Sequence, residues 1–359
     1  MTDIPTVTGL KSRAVIAPLQ RPVRTAVGTL PNAPLVLIDV ETDLGVTGQA
    51  YVFGYTPVTL KAIVAFLSEL EESLIGQSVA PVEQARFYEN RFRLLGRQGL
   101  VGMALSCLDM ALWDALGKAA GLPVVNLLGG RARPIQAYDS YGVVDPKEDR
   151  EDLERSLERG FRAIKIKIGD GDLVRDIAMV SGVREIIGPD VELMVDFNQS
   201  RSVPDAVHRI EALSEYNLAW VEEPVPAEDF VGHAEVRAAS TPPIQTGENW
   251  WFPQDMAKAI DAGACDCAMP DLMKIGGITA WLRAAGIAEA NAIPVSSHLF
   301  VEASAHVLPV TPTAHYLEFL DIAGSVLQEP MEVKDGHVTA RGPGLGMTWD
   351  EDAVARFTA

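Results

Sequence analysis

The chain has 359 residues, of which 48% are hydrophobic and 22% charged, enough for roughly two cores in an ordinary globular composition. Its formal net charge is −19, which excludes a nucleic-acid function because no basic patch can neutralise phosphates, and speaks against an anionic membrane surface. An anionic small molecule would need a local cation here, either lysines or a metal.

The three cysteines are Cys107, Cys265 and Cys267, and no second Cys/His pair stands at zinc spacing. They read as small buried hydrophobes of a reducing compartment, so a cytoplasmic protein is expected. Met1-Thr2-Asp3-Ile4-Pro5 has neither a basic nor an apolar export region, and no run reaches the ~18 apolar residues of a membrane span.

The first segment alternates as strands over Thr8–Leu19 and Leu35–Phe53, broken by the turn Asp43-Leu44-Gly45. Helical patterns follow at Thr59–Ile75, Val82–Leu94 and Val101–Ala120, the last stopping at Gly121 before Pro123. Strands followed by segregated helices predict an α+β domain over residues 1–130.

From about residue 131 the rhythm changes. Short apolar runs alternate with amphipathic stretches: Ile135–Tyr138, Ala163–Ile168, Glu192–Val195, Ala219–Val221, Ile244–Gln245, Cys267–Met269, Ile293–Ser296 and Tyr316–Leu317. Their spacing fits a strand plus a return helix, so an α/β fold is predicted, a modified (β/α)8 (TIM-like) barrel over 131–325. The tail, 326–359, carries Met331–Val333 and His337–Ala340, a hairpin pattern expected to return to the first domain.

Polar residues fall where each apolar run ends, and in such a barrel those ends converge on one cleft. Lys165 and Lys167 are two apart, so on a strand they share one face while Ile164, Ile166 and Ile168 take the other. A solvated lysine edge is the plain alternative. Asp196, Glu222 and Glu248 end the next three runs. Three carboxylates in one cleft repel unless a cation sits among them, and oxygen ligation from separate strands suits Mg²⁺. Each alone could be a helix cap or a surface acid, and Glu223 beside Pro224 is a weaker ligand candidate. Asp271 and His298 end neighbouring runs, where a carboxylate would orient the imidazole and raise its pKa, making a general base. Glu318, ending the last run, is expected to stay protonated among anions and to donate to a developing oxyanion.

Together these residues resemble the enolase superfamily, specifically its mandelate racemase subgroup, over nearly the whole chain. The resemblance is carried by Lys165-Ile-Lys167, Val195-Asp196-Phe197-Asn198-Gln199-Ser200, Gly247-Glu248-Asn249-Trp250, Met269-Pro270-Asp271-Leu272-Met273-Lys274-Ile275-Gly276-Gly277, Ser296-Ser297-His298-Leu299-Phe300 and Pro22-Val23-Arg24-Thr25-Ala26-Val27-Gly28-Thr29. It implies a capping domain completed by the C-terminal tail, a small-molecule carboxylate substrate and a homo-oligomer, an octamer or smaller. It implies Mg²⁺ held by Asp196, Glu222 and Glu248, with Lys165, Lys167, Asp271, His298 and Glu318 as catalytic residues and Ser140 and Asn198 as substrate contacts. The implied chemistry is removal of the proton beside the carboxylate by Lys167 or His298 and its return from the opposite face, through an aci-carboxylate intermediate.

In that family the substrate is chosen by loops of the capping domain. Val23, Arg24, Val27, Leu30, Phe53, Tyr55, Leu94 and Leu320 stand at matching positions. Apart from Arg24 and Tyr55 this lining is apolar, which suits an aryl 2-hydroxy acid better than a polyol; plain packing of a domain interface is the other reading. Two departures stand out. Arg24 replaces a smaller residue and could claim a second anionic group, and Tyr141-Gly142 differs from the family's version beside Ser140. Lys274 stands where a neighbouring subgroup of epimerases and cycloisomerases has its second base, but the complete Asp271–His298 pair favours racemisation. The alternatives are an acid-sugar (aldonate) dehydratase on the same scaffold, and a non-catalytic relative, which should have lost a base or ligand and has not.

Overall fold

The computed structural model describes residues 4–25 and 28–359. The chain begins with a three-stranded antiparallel sheet: β1 (Val7–Thr25), β2 (Gly28–Thr42) and β3 (Thr47–Phe53). β1 and β2 form a long hairpin whose pairing shifts register between Pro18 and Val23, where two prolines remove ladder donors. Helices α1 (Leu60–Leu74) and α3 (Leu100–Ala120) pack on the sheet, and α2 (Pro81–Arg91) packs on α3. α3 is long and apolar enough to cross a membrane, contrary to the expectation from apolar runs, yet 72% of its apolar window is buried inside the protein. It is the helix on which the sheet and the following domain both pack, so its all-round hydrophobicity answers to two partners.

After the short α4 (Val124–Leu127) come the parallel strands β4 (Ile135–Val143), β5 (Ala163–Lys167), β6 (Glu192–Asp196), β7 (Leu218–Glu222), β8 (Ile244–Thr246), β9 (Cys267–Ala268) and β10 (Leu317–Phe319). Their order is β10-β4-β5-β6-β7-β8-β9, a curled sheet that covers itself with helices α5 (Arg150–Glu158), α6 (Leu173–Ile187), α7 (Val203–Ala212), α8 (Phe230–Ala239), α9 (Phe252–Asp261), α10 (Leu272–Ile275) and α11 (Gly277–Ala290). Ile164, Ile166, Leu193, Val195 and Val221 point outward into the apolar layer beneath those helices. Their alternate neighbours are thereby forced inward.

The predicted run at Ile293–Ser296 is not a full strand. Val295 alone bridges Ala268 on one side and Ala314 on the other, and Pro294 cannot donate to a ladder. The gap between β9 and β10 is closed by isolated bridges at Val295 and between Asp271 and His298, with the Ser296 amide on Ala268 and the Ser297 amide on Tyr316, before α12 (Val301–Val307).

The tail serves both layers. β11 (His337–Val338) pairs antiparallel with the start of β4, so the predicted hairpin joins the barrel rather than the first sheet. α13 (Glu351–Phe357) then reaches β1, where the Ala359 amide donates to the Ala14 carbonyl at 3.0 Å. One glycine explains a departure noted in the sequence: a Cβ on Gly142 would stand 2.1 Å from the Arg24 carbonyl oxygen. β1 therefore lies backbone against β4, and only glycine admits that approach.

Candidate active site

Every inward residue at the upper rim comes from a strand end or the turn after it. Several of those turns hold non-glycine residues at positive φ: Asn198 (45°), Gln199 (63°), Glu223 (37°), Leu299 (49°) and Phe300 (48°). Such strain persists only where surrounding contacts enforce it, and it gathers where side chains must be aimed.

Asp196, Glu222 and Glu248 each offer a carboxylate oxygen, and these atoms lie within 4.8 Å of one another. All three side chains are buried. Burial pushes the Glu222 carboxyl up to about 8, and the negative neighbours Asp196, Glu248 and Glu318 add to it against the opposing Lys165. Glu248 Oε2 finds no hydrogen bond among the described residues, although His298 Nε2 lies 3.2 Å from it. Three buried oxygens, one still unsatisfied, are a donor set suited to a hard divalent cation.

Lysines and imidazole flank this triad. Lys165 Nζ bridges Glu222 at 2.5 Å and Glu318 at 2.9 Å, while Lys167 Nζ donates to Asp196 Oδ2 at 2.6 Å. Asp196 also accepts from the Asn198 amide (2.7 Å) and side chain (2.9 Å). Burial would lower both lysine pKa values, but the facing carboxylates outweigh it and raise them. On the other flank His298 Nδ1 lies 2.7 Å from Asp271 Oδ2. Asp271 Oδ1 accepts from the Met273 and Lys274 amides at 2.7 and 3.1 Å, so the carboxylate is fixed before it meets the ring. Burial works against the imidazolium, yet Glu248, Glu318 and Asp271 raise His298 to about 9.

Glu318 departs from the expectation of a protonated acid. Burial favours the proton, but Lys165, protonated His298 and the Leu299 amide at 2.8 Å hold it down to about 2. Sequence reasoning gave it anionic company and missed that the same lysine serves two carboxylates.

The predicted substrate-contact residues divide. Ser140 is buried beside Lys165 in the sheet register, its carbonyl held by Arg21 at 2.8 Å. The Phe53 and Tyr55 rings meet tilted by 42°, with centroids 4.5 Å apart. Tyr55 is 38% exposed, and its phenol is pushed well up by burial and then by the negative charges of Asp271, Glu248, Glu223 and Glu318. Val23 and Leu30 face each other across the hairpin tip, and Val27 lies outside the described residues. Arg24 is bound to Asp149 and lies 3.8 Å from Glu148. Leu94 is 93% exposed on the turn after α2. Leu320 lines a cavity of about 290 Å³ with Arg21, Asp139 and Arg159, on the outer side of β4 and β10.

Glu223 and Lys274, each named in the sequence as a weaker candidate, are joined by Asn249, whose linking role the sequence did not show. Asn249 Nδ2 donates to Glu223 at 2.8 Å and to Glu248 at 3.3 Å, and its oxygen accepts from Lys274 Nζ at 2.5 Å. Lys274 also lies 4.9 Å from the centre of the Tyr55 ring. The available signal was position, since Asn249 follows Glu248 and Lys274 sits one turn after Asp271. With its nitrogen committed to Asn249, Lys274 differs from Lys167, which faces the triad directly.

Comparison with known proteins agrees with this geometry. Residues 8–129 match the family described as mandelate racemase/muconate lactonizing enzyme, N-terminal domain, and residues 148–353 match that described as enolase C-terminal domain-like. An enolase from Bradyrhizobium, solved with magnesium and mandelic acid, is 57% identical over 100% of both chains with a TM-score of 0.98. The 3,6-anhydro-alpha-L-galactonate cycloisomerase of Streptomyces coelicolor is 34% identical over 92% of this chain and 93% of that protein. The L-talarate/galactarate dehydratase of Salmonella typhimurium is 29% identical over 98% of this chain and 87% of that protein.

Proposed function

This chain belongs to the mandelate racemase/muconate lactonizing enzyme family of the enolase superfamily, and from that premise we propose that it is a Mg²⁺-dependent racemase of an aryl 2-hydroxy carboxylate. The observation that carries the reading is the pair of bases. Lys167 on β5 and His298 after the Val295 bridge stand on either side of the acidic triad in strand order, so two proton acceptors frame one bound α-carbon.

Asp196, Glu222 and Glu248 would hold Mg²⁺, which would supply positive charge to meet the charge developing on the substrate carboxylate. Lys167 Nζ takes the α-proton on one face. Protonated His298 Nε2, its ring held through Nδ1 by Asp271, delivers a proton to the other face, and the centre inverts. Lys165, held by Glu318 at 2.9 Å and by Glu222 at 2.5 Å, brings its ammonium charge to the developing negative charge of the substrate carboxylate, and ionised Glu318 keeps that lysine charged and in place. A positioned base contributes about 10²–10⁴-fold, or roughly 3–5 kcal/mol. A proton beside an ionised carboxylate needs far more, which is why the cations gather on the carboxylate side. Phe53 and Tyr55 offer the ring-shaped lining for the aryl group. Mandelic acid in the Bradyrhizobium structure supports this substrate class.

The test is incubation with Mg²⁺ and each enantiomer of mandelate in D₂O. Loss of optical rotation with loss of the α-proton signal is the expected result. A stable rotation, with 2-keto acid formed instead from a panel of aldonates, would replace the racemase by the dehydratase suggested by the 29% identical relative.

A further inference from the structure

His298 is followed by two non-glycine residues in the left-handed region, Leu299 (φ 49°) and Phe300 (φ 48°). β-strand or helical values would relax both. Either relaxation would tilt the peptide plane whose amide, that of Leu299, donates to Glu318 Oε2 at 2.8 Å. The turn thus joins the imidazole of one strand position to the acid of the next, and something must enforce it.

Part of the enforcement is local: Ser304 Oγ donates to the Leu299 carbonyl at 2.9 Å. The rest comes from the N-terminal sheet. Tyr51 of β3 stacks on the Phe300 ring with centroids 5.1 Å apart and planes within 20°. Its hydroxyl donates to Glu302 Oε2 at 2.8 Å, on the first turn of α12. Tyr51 and Glu302 are both buried, and neither touches Asp196, Glu222 or Glu248. Tyr51 is itself fixed opposite Leu37 in the sheet and lies two residues before Phe53, the start of the loop that ends in Tyr55.

We propose that Tyr51 is a positioning residue: by gripping Phe300 and Glu302 it holds the Leu299–Phe300 turn in its strained form and so aims both His298 and Glu318. The inference rests on the roles given above to those two residues. It makes the N-terminal sheet a working part of the catalytic rim as well as a lid, because one strand carries both the clamp and the Phe53–Tyr55 lining.

The experiment compares wild type, Tyr51→Phe, Tyr51→Leu, Glu302→Gln and Glu302→Ala as Mg²⁺-loaded full-length protein. Amide hydrogen exchange is followed in the 298–305 segment, with 192–197 of β6 as the internal reference, beside kcat and KM for mandelate. Tyr51→Leu is expected to speed exchange in 298–305 about tenfold and to lower kcat by roughly 10-fold to 10²-fold with KM nearly unchanged, as for a small misplacement of reacting groups. Tyr51→Phe, which keeps the stack, should fall between. Glu302→Gln, which still accepts the phenol hydrogen, should behave like wild type where Glu302→Ala does not. Unchanged protection of 298–305 in both Tyr51→Leu and Glu302→Ala overturns the proposal, as does equal loosening of 192–197. Should Tyr51→Leu fail to fold, the contrast between the two Glu302 variants decides. A wild type inert toward mandelate would instead overturn the racemase reading, and the exchange comparison would still judge the clamp.

Discussion

The Nδ1 of His298 lies 2.7 Å from Oδ2 of Asp271, and the other Asp271 oxygen is held by two amides of the turn that follows it. The carboxylate therefore points the imidazole without being able to follow it. The tautomer with the proton on Nδ1 is enforced, leaving Nε2 to exchange a proton with the site.

Asp271→Asn keeps the shape and removes that charge. The proton transfer on the His298 face is expected to slow by about 10²–10⁴-fold, with transfer on the Lys167 face retained. Deuterium incorporation measured separately into each enantiomer of mandelate checks it: one enantiomer should lose exchange and the other keep it, and Lys167→Ala should give the reverse. Equal losses from both enantiomers would remove the two-base reading.

Chelation should silence the enzyme and loosen it. Asp196, Glu222 and Glu248 repel one another in a buried cluster, so Mg²⁺ binds the folded chain far better than the unfolded one. At a free concentration ~100 times Kd it adds roughly 2.7 kcal/mol, a rise of about 3–4 °C for a chain this size. Scanning calorimetry with and without EDTA measures this; Asp196→Asn should abolish most of the Mg²⁺-dependent shift, and a shift unaffected by that change would place the ion elsewhere.

Arg21 ties β1 to β4. It donates to Asp139 and the Ser140 carbonyl, each at 2.8 Å, and its guanidinium lies 3.5 Å from the centre of the Tyr141 ring. Arg21→Ala would leave the buried Asp139 with Ser156 as its remaining side-chain partner. A loss of about 3 kcal/mol is expected, read as a lower urea midpoint at unchanged slope. An unchanged midpoint would mean that the exposed part of Arg21 already lets water replace the pair.

Asp109 on α3 shapes the pH dependence of stability. Burial raises its carboxyl from 3.8 to about 7 against the opposing hydrogen bonds of Thr279. Between those values the folded state binds the proton and the unfolded state has lost it, so this group's contribution is present below pH 3.8, falls as pH rises and is gone above 7. The slope it imposes is about 1.4 kcal/mol per pH unit at most. Asp109→Asn should flatten the decline between pH 4 and 7 in urea melts taken across that range; a slope equal to wild type would show that Asp109 ionises normally in the fold.

The residues that face the barrel rim were legible in the one-dimensional pattern. Strand periodicity put Lys165 and Lys167 on one face and the isoleucines on the other, and the recurrence of an acid after each apolar run named Asp196, Glu222 and Glu248 before any contact was seen. Covalent spacing fixes which way a side chain points from its own strand, so such patterns survive without the third dimension. Partner choice does not. Arg24 reads as a substrate contact, and the fold pairs it with Asp149, 125 residues away. Glu318 reads as a neutral acid until Lys165, shared with Glu222, ionises it. Tyr51 reads as one more core aromatic until Phe300 and Glu302 meet it. Electrostatic and hydrogen-bond energies depend on distances between chain-remote atoms, and only folding sets those distances.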